Sequence, residues 1–227
     1  MENIIFIEGV SGAGKSTTVY ELSERLHNLG YAVRYHVEGD PYSPLDLCWA
    51  AYLTVPEYEG ILTSYPMFAD ELSKNIIFES DYILLRYQIG RIGLYSKELN
   101  NELHKREFCY NSIDCVSLEE FTKVFSDIWQ RFATNDEDKC DYMILDASLV
   151  SHMTNDLVRN YNASENEIVK HLEILLQIIS RLNPIIFYLS SADVCERLIK
   201  ARKSRGQTPP TNEQIRFWER RKPCIVQ

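Results

Sequence analysis

The sequence predicts an α/β fold in which helices sandwich a largely parallel sheet. Three observations lead there: the apolar run Ile4 to Ile7 stops at a glycine-rich turn, the run Tyr142-Met143-Ile144-Leu145 ends in Asp146, and capped helical stretches alternate with such runs. Short continuous apolar runs suit strands buried on both faces of a parallel sheet. A ligand of such a sheet lies beyond the C-terminal ends of its strands. With 227 residues there is room for one sizeable core, so residues 1–227 are read as a single domain.

Ile4 to Ile7 is the first strand. Lys15 to Leu29 follows as a helix, with Val19, Leu22, Leu26 and Leu29 at helical spacing and Gly30 as its stop. Tyr31 to Val37 reads as the second strand, which completes a strand-loop-helix-strand unit. From Pro41 to Asn111 the expectation is mostly helix, with Leu72 to Leu103 largely free of proline and broken near Gly90 and Gly93. Ser117-Leu118-Glu119-Glu120 is a capping sequence ahead of Phe121, Val124, Phe125, Ile128, Trp129 and Phe132. After the strand ending at Asp146, Ser164-Glu165-Asn166-Glu167 caps a helix carrying Ile168, Leu172, Leu175, Leu176, Ile179 and Leu182 as far as Asn183-Pro184. Ile185 to Leu189 is a further strand, and a basic helix begins at Val194.

Composition narrows the function classes. Apolar residues make up 45% and charged residues 25%, ordinary usage for a globular domain. There is no basic leader, and no run approaches the roughly 20 apolar residues that span a bilayer, so a cytoplasmic protein with no membrane partner is expected. The six cysteines include no C-x-x-C pair, which suggests neither a zinc site nor a disulfide framework. A net charge of −9 argues against a nucleic-acid partner, because such proteins neutralise many phosphates. Yet Arg197 to Lys222 holds nine Lys or Arg against two carboxylates, a local excess of seven that leaves −16 elsewhere. That segment suits a small polyanion such as a triphosphate; a solvated helix face is the plainer alternative.

Gly9-Val10-Ser11-Gly12-Ala13-Gly14-Lys15-Ser16 satisfies G-x-x-x-x-G-K-[ST]. In such a loop, successive backbone N–H groups surround phosphate oxygens at a helix N-terminus, the glycines allow close approach, the lysine reaches the β and γ phosphates, and the hydroxyl binds Mg²⁺. A chance match arises in roughly one chain in a hundred of this length. Here it follows a predicted strand and opens a predicted helix. Candidate nucleotide-binding residues are therefore Gly9, Ser11, Gly12, Ala13, Gly14, Lys15, Ser16 and Thr17, with ATP and Mg²⁺ as the expected ligands. Asp146, at a strand end, is positioned to hold Mg²⁺ together with Ser16, or else to cap the next turn. Glu38 and Asp40 follow the second strand, where a carboxylate orients an acceptor hydroxyl or takes its proton; turn chemistry alone also places such residues there. Arg202 and Arg205, nearest Gly206-Gln207-Thr208-Pro209-Pro210, are the candidates for closing over a transferring phosphoryl group, ahead of Arg197, whose stem can pack on the helix. The catalytic set is thus Lys15, Glu38, Asp146, Arg202 and Arg205.

With these residues in place, the chain resembles P-loop kinases of the thymidylate kinase and deoxynucleoside kinase group. Phe6-Ile7-Glu8-Gly9-Val10-Ser11-Gly12-Ala13-Gly14-Lys15-Ser16-Thr17 is similar to their opening, Val37-Glu38-Gly39-Asp40-Pro41 with Pro44-Leu45 to their acceptor-side loop, and Phe187-Tyr188-Leu189 through Arg205-Gly206 to their fourth strand, helix and arginine-bearing lid. The resemblance covers about residues 1–45 and 141–222. It implies a P-loop NTPase fold, with a mostly helical acceptor-side insertion at about 45–140 and a lid with its following helix at about 197–222. A homodimer is compatible with it. Three departures stand out. Asp146 is followed by Ala147-Ser148-Leu149, where these families carry an arginine that helps hold the acceptor, and the stretch from about Tyr95 to Cys140 is longer than in a thymidylate kinase. The chain also ends at Cys224-Ile225-Val226-Gln227, where a fifth strand is expected.

The resulting expectation is an ATP- and Mg²⁺-dependent phosphotransferase acting on a nucleoside, a nucleotide or another small hydroxylated molecule, an antibiotic or metabolite kinase included. A nucleotide-dependent switch without an acceptor is the alternative from another class. The lid-like basic segment and the lack of an N-K-x-D tetrapeptide favour the kinase; the acidic balance and short length count against a DNA motor.

Overall fold

The computed structural model describes residues 3–90, 92–111, 114–135, 140–190, 193–204, 206–212 and 214–216. Its central sheet has four parallel strands. β1 (Asn3–Gly9) pairs on one side with β8 (Tyr142–Asp146), in the register Ile5↔Ile144 and Ile7↔Asp146, and on the other with β9 (Ile185–Leu189), in the register Ile5↔Ile185. β2 (Val33–His36) lies outside β8, which gives the order β2-β8-β1-β9.

Alternation along β1 decides what covers each face of this sheet. Ile5 and Ile7 meet Val19 of α1 (Lys15–Asn28), together with Ile144. Ile4 and Phe6 point the other way, into the core built by α5 (Leu118–Thr134), α6 (Ser151–Arg159) and α7 (Glu165–Ile178). Phe6 stacks on Trp129 of α5, centroids 5.8 Å apart. Both capped helices begin where the sequence places them. Ser164 and Glu167 form a reciprocal capping box, whereas Ser117 accepts from the Glu120 N–H.

The stretch read as mostly helical is where the structure differs. β3 (Ala50–Thr54), β4 (Ile76–Glu79) and β5 (Tyr82–Arg86) form an antiparallel sheet in the order β3-β5-β4, and β6 (Gln88–Ile89) with β7 (Ile92–Gly93) makes a small ribbon. Among the described residues there, only α2 (Val55–Ser64), α3 (Ala69–Lys74) and α4 (Lys97–His104) are helical, besides a 3₁₀ turn at Pro66–Phe68. One face of the small sheet, with Ala51, Leu53, Ile83 and Leu85, packs with Ile61, Leu72, Leu99 and Leu103 of these helices. Its other face, with Tyr52, Phe78, Tyr82 and Leu84, joins the main core. Burial on both faces removes the polar alternation of a strand, so Tyr82 to Leu85 reads as a plain apolar run. Among the described residues, no helix is long and apolar enough to cross a membrane.

Candidate functional site

The glycine-rich loop joins β1 to α1. Its conformation requires glycine at two points of close approach. A Cβ at Gly9 (φ +141°) would lie 2.5 Å from the Leu189 carbonyl oxygen, and one at Gly12 (φ +80°) would lie 2.7 Å from the Ala201 Cβ. The second contact presses the loop against α8 (Val194–Ser204), where Val10 and Ala13 pack with Val194 and Leu198. Gly14 is the N-cap of α1 at φ +94°, offers no capping side chain and faces open space. The first turn of α1 carries no acidic residue. Its N–H groups and the positive end of the helix dipole are thus left for an anion. Lys15 is buried beside them; Ser11 lies within the loop and Thr17 directly follows it.

Asp146 ends β8 next to β1. Its Oδ2 accepts a hydrogen bond of 2.6 Å from Ser16 Oγ, while its Oδ1 is buried with no hydrogen bond of normal geometry. Burial raises the Asp146 pKa; the Ser16 bond and the Lys15 charge oppose the rise, and Glu38 acts both ways, its charge raising the pKa and its backbone N–H lowering it. The structure therefore brings Lys15, Ser16, Asp146 and Glu38 together.

Sequence reasoning missed the groups that surround Glu38. The half-exposed Glu38 carboxylate stands 3.8 Å from His152 Nε2 in the first turn of α6, and His152 Nδ1 is hydrogen-bonded at 2.9 Å to the Tyr110 hydroxyl. Asp46 and Cys48, from the loop between β2 and β3, adjoin His152. Burial first, and the Asp46 charge second, push the Cys48 thiol above its usual range. The partly buried Arg86, from β5, interacts with Asp46, Cys48 and Asp40, which puts a cation on this side although no arginine directly follows Asp146 in the sequence. Asp40 itself is held in the turn by His36 Nδ1 at 2.7 Å and by the Tyr42 N–H at 2.9 Å.

Glu8 was also overlooked. It is fully buried at the end of β1, and its carboxylate accepts from the N–H groups of Leu149, Val150 and Ser151 at 2.9, 3.1 and 2.9 Å and from Ser151 Oγ at 2.7 Å. Val150, the N-cap of α6, has no capping side chain, so Glu8 does that work from across the sheet. The available signal was a lone acid ending a strand otherwise buried and apolar.

The arginines divide. Arg202 donates from Nε to the Thr208 carbonyl at 2.6 Å and from Nη1 to Gln214 Oε1 at 3.1 Å, so its guanidinium is occupied with the following loop. Arg205 lies outside the described residues, as does the C-terminal segment 217–227. The exposed Arg197 sits on the turn of α8 that packs on Gly12, with its carbonyl oxygen 3.2 Å from the position of a Cβ there.

Backbone conformation marks the same region. Trp49, Tyr110 and Ala147 have φ near +60° although none is glycine, and they directly follow Cys48, Cys109 and Asp146. Bulky residues adopt this region only when their surroundings impose it. No protein-family model and no curated protein matches the chain.

Proposed function

We propose that the protein is an ATP- and Mg²⁺-dependent phosphotransferase of the P-loop kinase type, acting on a nucleoside, a nucleotide or another small hydroxylated acceptor. The observation that carries this reading is the 2.6 Å contact of Ser16 Oγ with Asp146 Oδ2 beside the buried Lys15, with Asp146 Oδ1 left over. A hydroxyl and a carboxylate with a spare buried oxygen form a hard-oxygen donor set that fits Mg²⁺. Ser16 and Asp146 would hold the ion, which when bound neutralises charge on the phosphates.

The chain's own groups supply the rest. The N–H groups of the loop and of the first turn of α1 bind and orient phosphate oxygens, and Lys15 adds a point charge among them. Glu38 takes the acceptor hydroxyl's proton at a carboxylate oxygen, or holds that hydroxyl in line. Arg197, on the α8 turn against Gly12, is the described arginine best placed to approach the phosphates. The polar groups of Glu38, Asp46, Tyr110 and His152 suit a hydroxylated acceptor better than an apolar one.

The test is calorimetric titration with ATP and Mg²⁺, followed by a panel of nucleosides, nucleoside monophosphates and hydroxylated metabolites with product detection. Wild type should bind ATP and phosphorylate an acceptor, and Lys15→Ala should lower turnover at least about 10²-fold with the fold intact. Failure of wild type to bind ATP, or unchanged turnover in Lys15→Ala, overturns the reading. ATP hydrolysis with no acceptor phosphorylated would instead make the protein a nucleotide switch.

A further inference from the structure

We propose that Asp46, Cys48 and His152 form a binding site for a zinc-class dication, with its fourth position open toward Glu38. One ligand atom from each of the three lies within 4.8 Å of the others. Tetrahedral ligands at 2.0–2.3 Å from zinc are about 3.3–3.8 Å apart, so closing on an ion takes small side-chain adjustments and no rearrangement of the chain. The site is separate from the Ser16 and Asp146 pair; Asp46 and His152 also border the acceptor side, but the metal proposal rests on the chemistry of the triad and not on the phosphotransfer reading.

The donor set decides the ion. A thiolate, an imidazole and a carboxylate together match zinc, or cobalt in its place, whereas magnesium and calcium take oxygen ligands. C-x-x-C spacing is absent, so the sequence alone gives no such site: Asp46 and Cys48 come from one loop and His152 from α6, more than a hundred residues away. Cys48 loses its proton to solvent as its sulfur binds the ion, and no redox change occurs.

Two of the ligands are already oriented by neighbouring groups. His152 Nδ1 is engaged by the Tyr110 hydroxyl at 2.9 Å, which leaves Nε2 for the ion. Metal-bound imidazoles characteristically have their second nitrogen held in this way. The Asp46 carboxylate is fixed by backbone donors, Oδ1 by the Cys48 N–H at 2.9 Å and Oδ2 by the Gly39 N–H at 3.3 Å. Glu38 Oε1, 3.8 Å from His152 Nε2, borders the remaining position. The nearby Arg86 guanidinium opposes a dication, but Asp46, Glu38 and the bound thiolate outweigh it. An ion there would tie the acceptor-side loop to α6.

Cobalt(II) gives the readout, because a cysteine ligand produces a thiolate-to-metal charge-transfer band in the near ultraviolet and a tetrahedral site produces intense visible bands. The full-length protein, stripped with EDTA, is titrated with CoCl₂ and then with ZnCl₂. One equivalent of cobalt should develop both sets of bands and zinc should abolish them. The thiolate band should vanish in Cys48→Ser and persist in Cys115→Ser. Tyr110→Phe, which loses the hydroxyl that engages His152 and also bonds Cys48, should bind zinc about 10–100-fold more weakly. Lys15→Ala should give the wild-type cobalt spectrum whether or not it binds ATP, which keeps this test apart from that of the P-loop. A wild-type protein without a thiolate band, or a band unchanged in Cys48→Ser, overturns the proposal. If Cys48→Ser does not fold, His152→Gln replaces it: loss of the intense visible bands supports the site, and their retention overturns it.

Discussion

Replacing Glu8 by Gln should destabilise the fold by about 2–6 kcal/mol, a large share of the roughly 5–15 kcal/mol typical of a whole domain. Glu8 Oε1 accepts from Leu149 and Val150, and Oε2 accepts from the N–H and hydroxyl of Ser151. Glutamine keeps the shape, but whichever way its amide turns, an NH₂ group faces two of these four donors. Two bonds to a charged group are lost, each worth about 1.5–3 kcal/mol. The charge at the α6 N-terminus, worth about 0.3–1 kcal/mol, goes with them. If the NH₂ faces Ser151, that hydroxyl can rotate to accept from it, which recovers about 1 kcal/mol. Urea unfolding followed by circular dichroism measures the effect directly, provided the slope of free energy against urea is unchanged. A loss below about 1 kcal/mol would refute the reasoning, since it would mean that the carboxylate does not hold α6 in place. Glu8→Asp is the companion variant: one methylene shorter, it cannot span both donor pairs and should fall between Gln and wild type.

Asp146→Asn should raise the Mg²⁺ concentration needed for half-maximal activity by about tenfold or more while leaving the urea midpoint close to wild type, because the amide preserves volume and removes the charge; an unchanged Mg²⁺ titration would assign Asp146 to capping alone. Gly12→Ala should cost more than Gly14→Ala: both incur the roughly 1–2 kcal/mol of a left-handed non-glycine residue, but only the first brings a Cβ to 2.7 Å from Ala201. Equal urea midpoints would contradict the packing of α8 on the loop. Arg202→Ala should leave kcat within about threefold and speed protease cleavage in residues 206–210, while Arg197→Ala lowers kcat about 10²-fold; the reverse pattern would return the phosphate role to Arg202. Burial pushes Asp156 up to about 6 from 3.8 and holds His171 down at about 4 from 6.5. Stability from Asp156 is full below its unfolded value and is lost as pH rises through the folded one, whereas that from His171 is full above its unfolded value and is lost as pH falls through the folded one. The two slopes offset one another between about pH 4 and 6, so Asp156→Asn, whose oxygen can still accept from Tyr110 and Asn160, should expose a rise in stability with pH of about 3 kcal/mol. A flat profile in that variant would disprove the compensation.

How much of this was legible depends on where the information lies. The four parallel strands and α1, α5 and α7 were readable, because β1, β8 and β9 are short apolar runs, β2 follows the helix stop at Gly30, and the three helices carry apolar stripes, two of them behind a serine cap. The insertion's sheet was not, since β4 and β5 are apolar on both faces and the turn between them, Glu79-Ser80-Asp81-Tyr82, carries neither glycine nor proline. α6 was missed for the opposite reason. Its buried positions include Ser151, Thr154 and Asp156 beside Met153 and Leu157, so its inward face is half polar and no stripe appears. The glycine-rich turn after β1 and the strand-end position of Asp146 could be read from sequence because a motif and a strand end specify them locally. Glu8, Asp46, Cys48, Tyr110 and His152 matter only through where α6 and two loops come to rest.

That placement also accounts for the strained backbone. Trp49, Tyr110 and Ala147 each bear a cost of about 1–2 kcal/mol in the left-handed region, which no local preference of tryptophan, tyrosine or alanine offsets. Each is held by a bond from elsewhere in the fold: the Ala147 N–H donates to the Ile7 carbonyl at 3.0 Å, the Tyr110 N–H to Asp156 Oδ1 at 2.8 Å, and the Trp49 carbonyl accepts from the Tyr87 N–H at 3.0 Å. Relaxing any of the three would re-aim a neighbour of the site: Asp146 beside Ser16, the Tyr110 hydroxyl on His152, or Cys48 beside Asp46. Strain concentrated at these three turns, and opposed by bonds from β1, α6 and the small sheet's flank, is what a fold shows when it must hold side chains from distant segments at one point. The two remaining described non-glycine residues with positive φ, Asn162 and Asn183, lie in connections away from this point and are of the type that tolerates the conformation. The contrast sets apart the residues around Asp146, Glu38 and His152 as a built site, on backbone grounds independent of the P-loop motif.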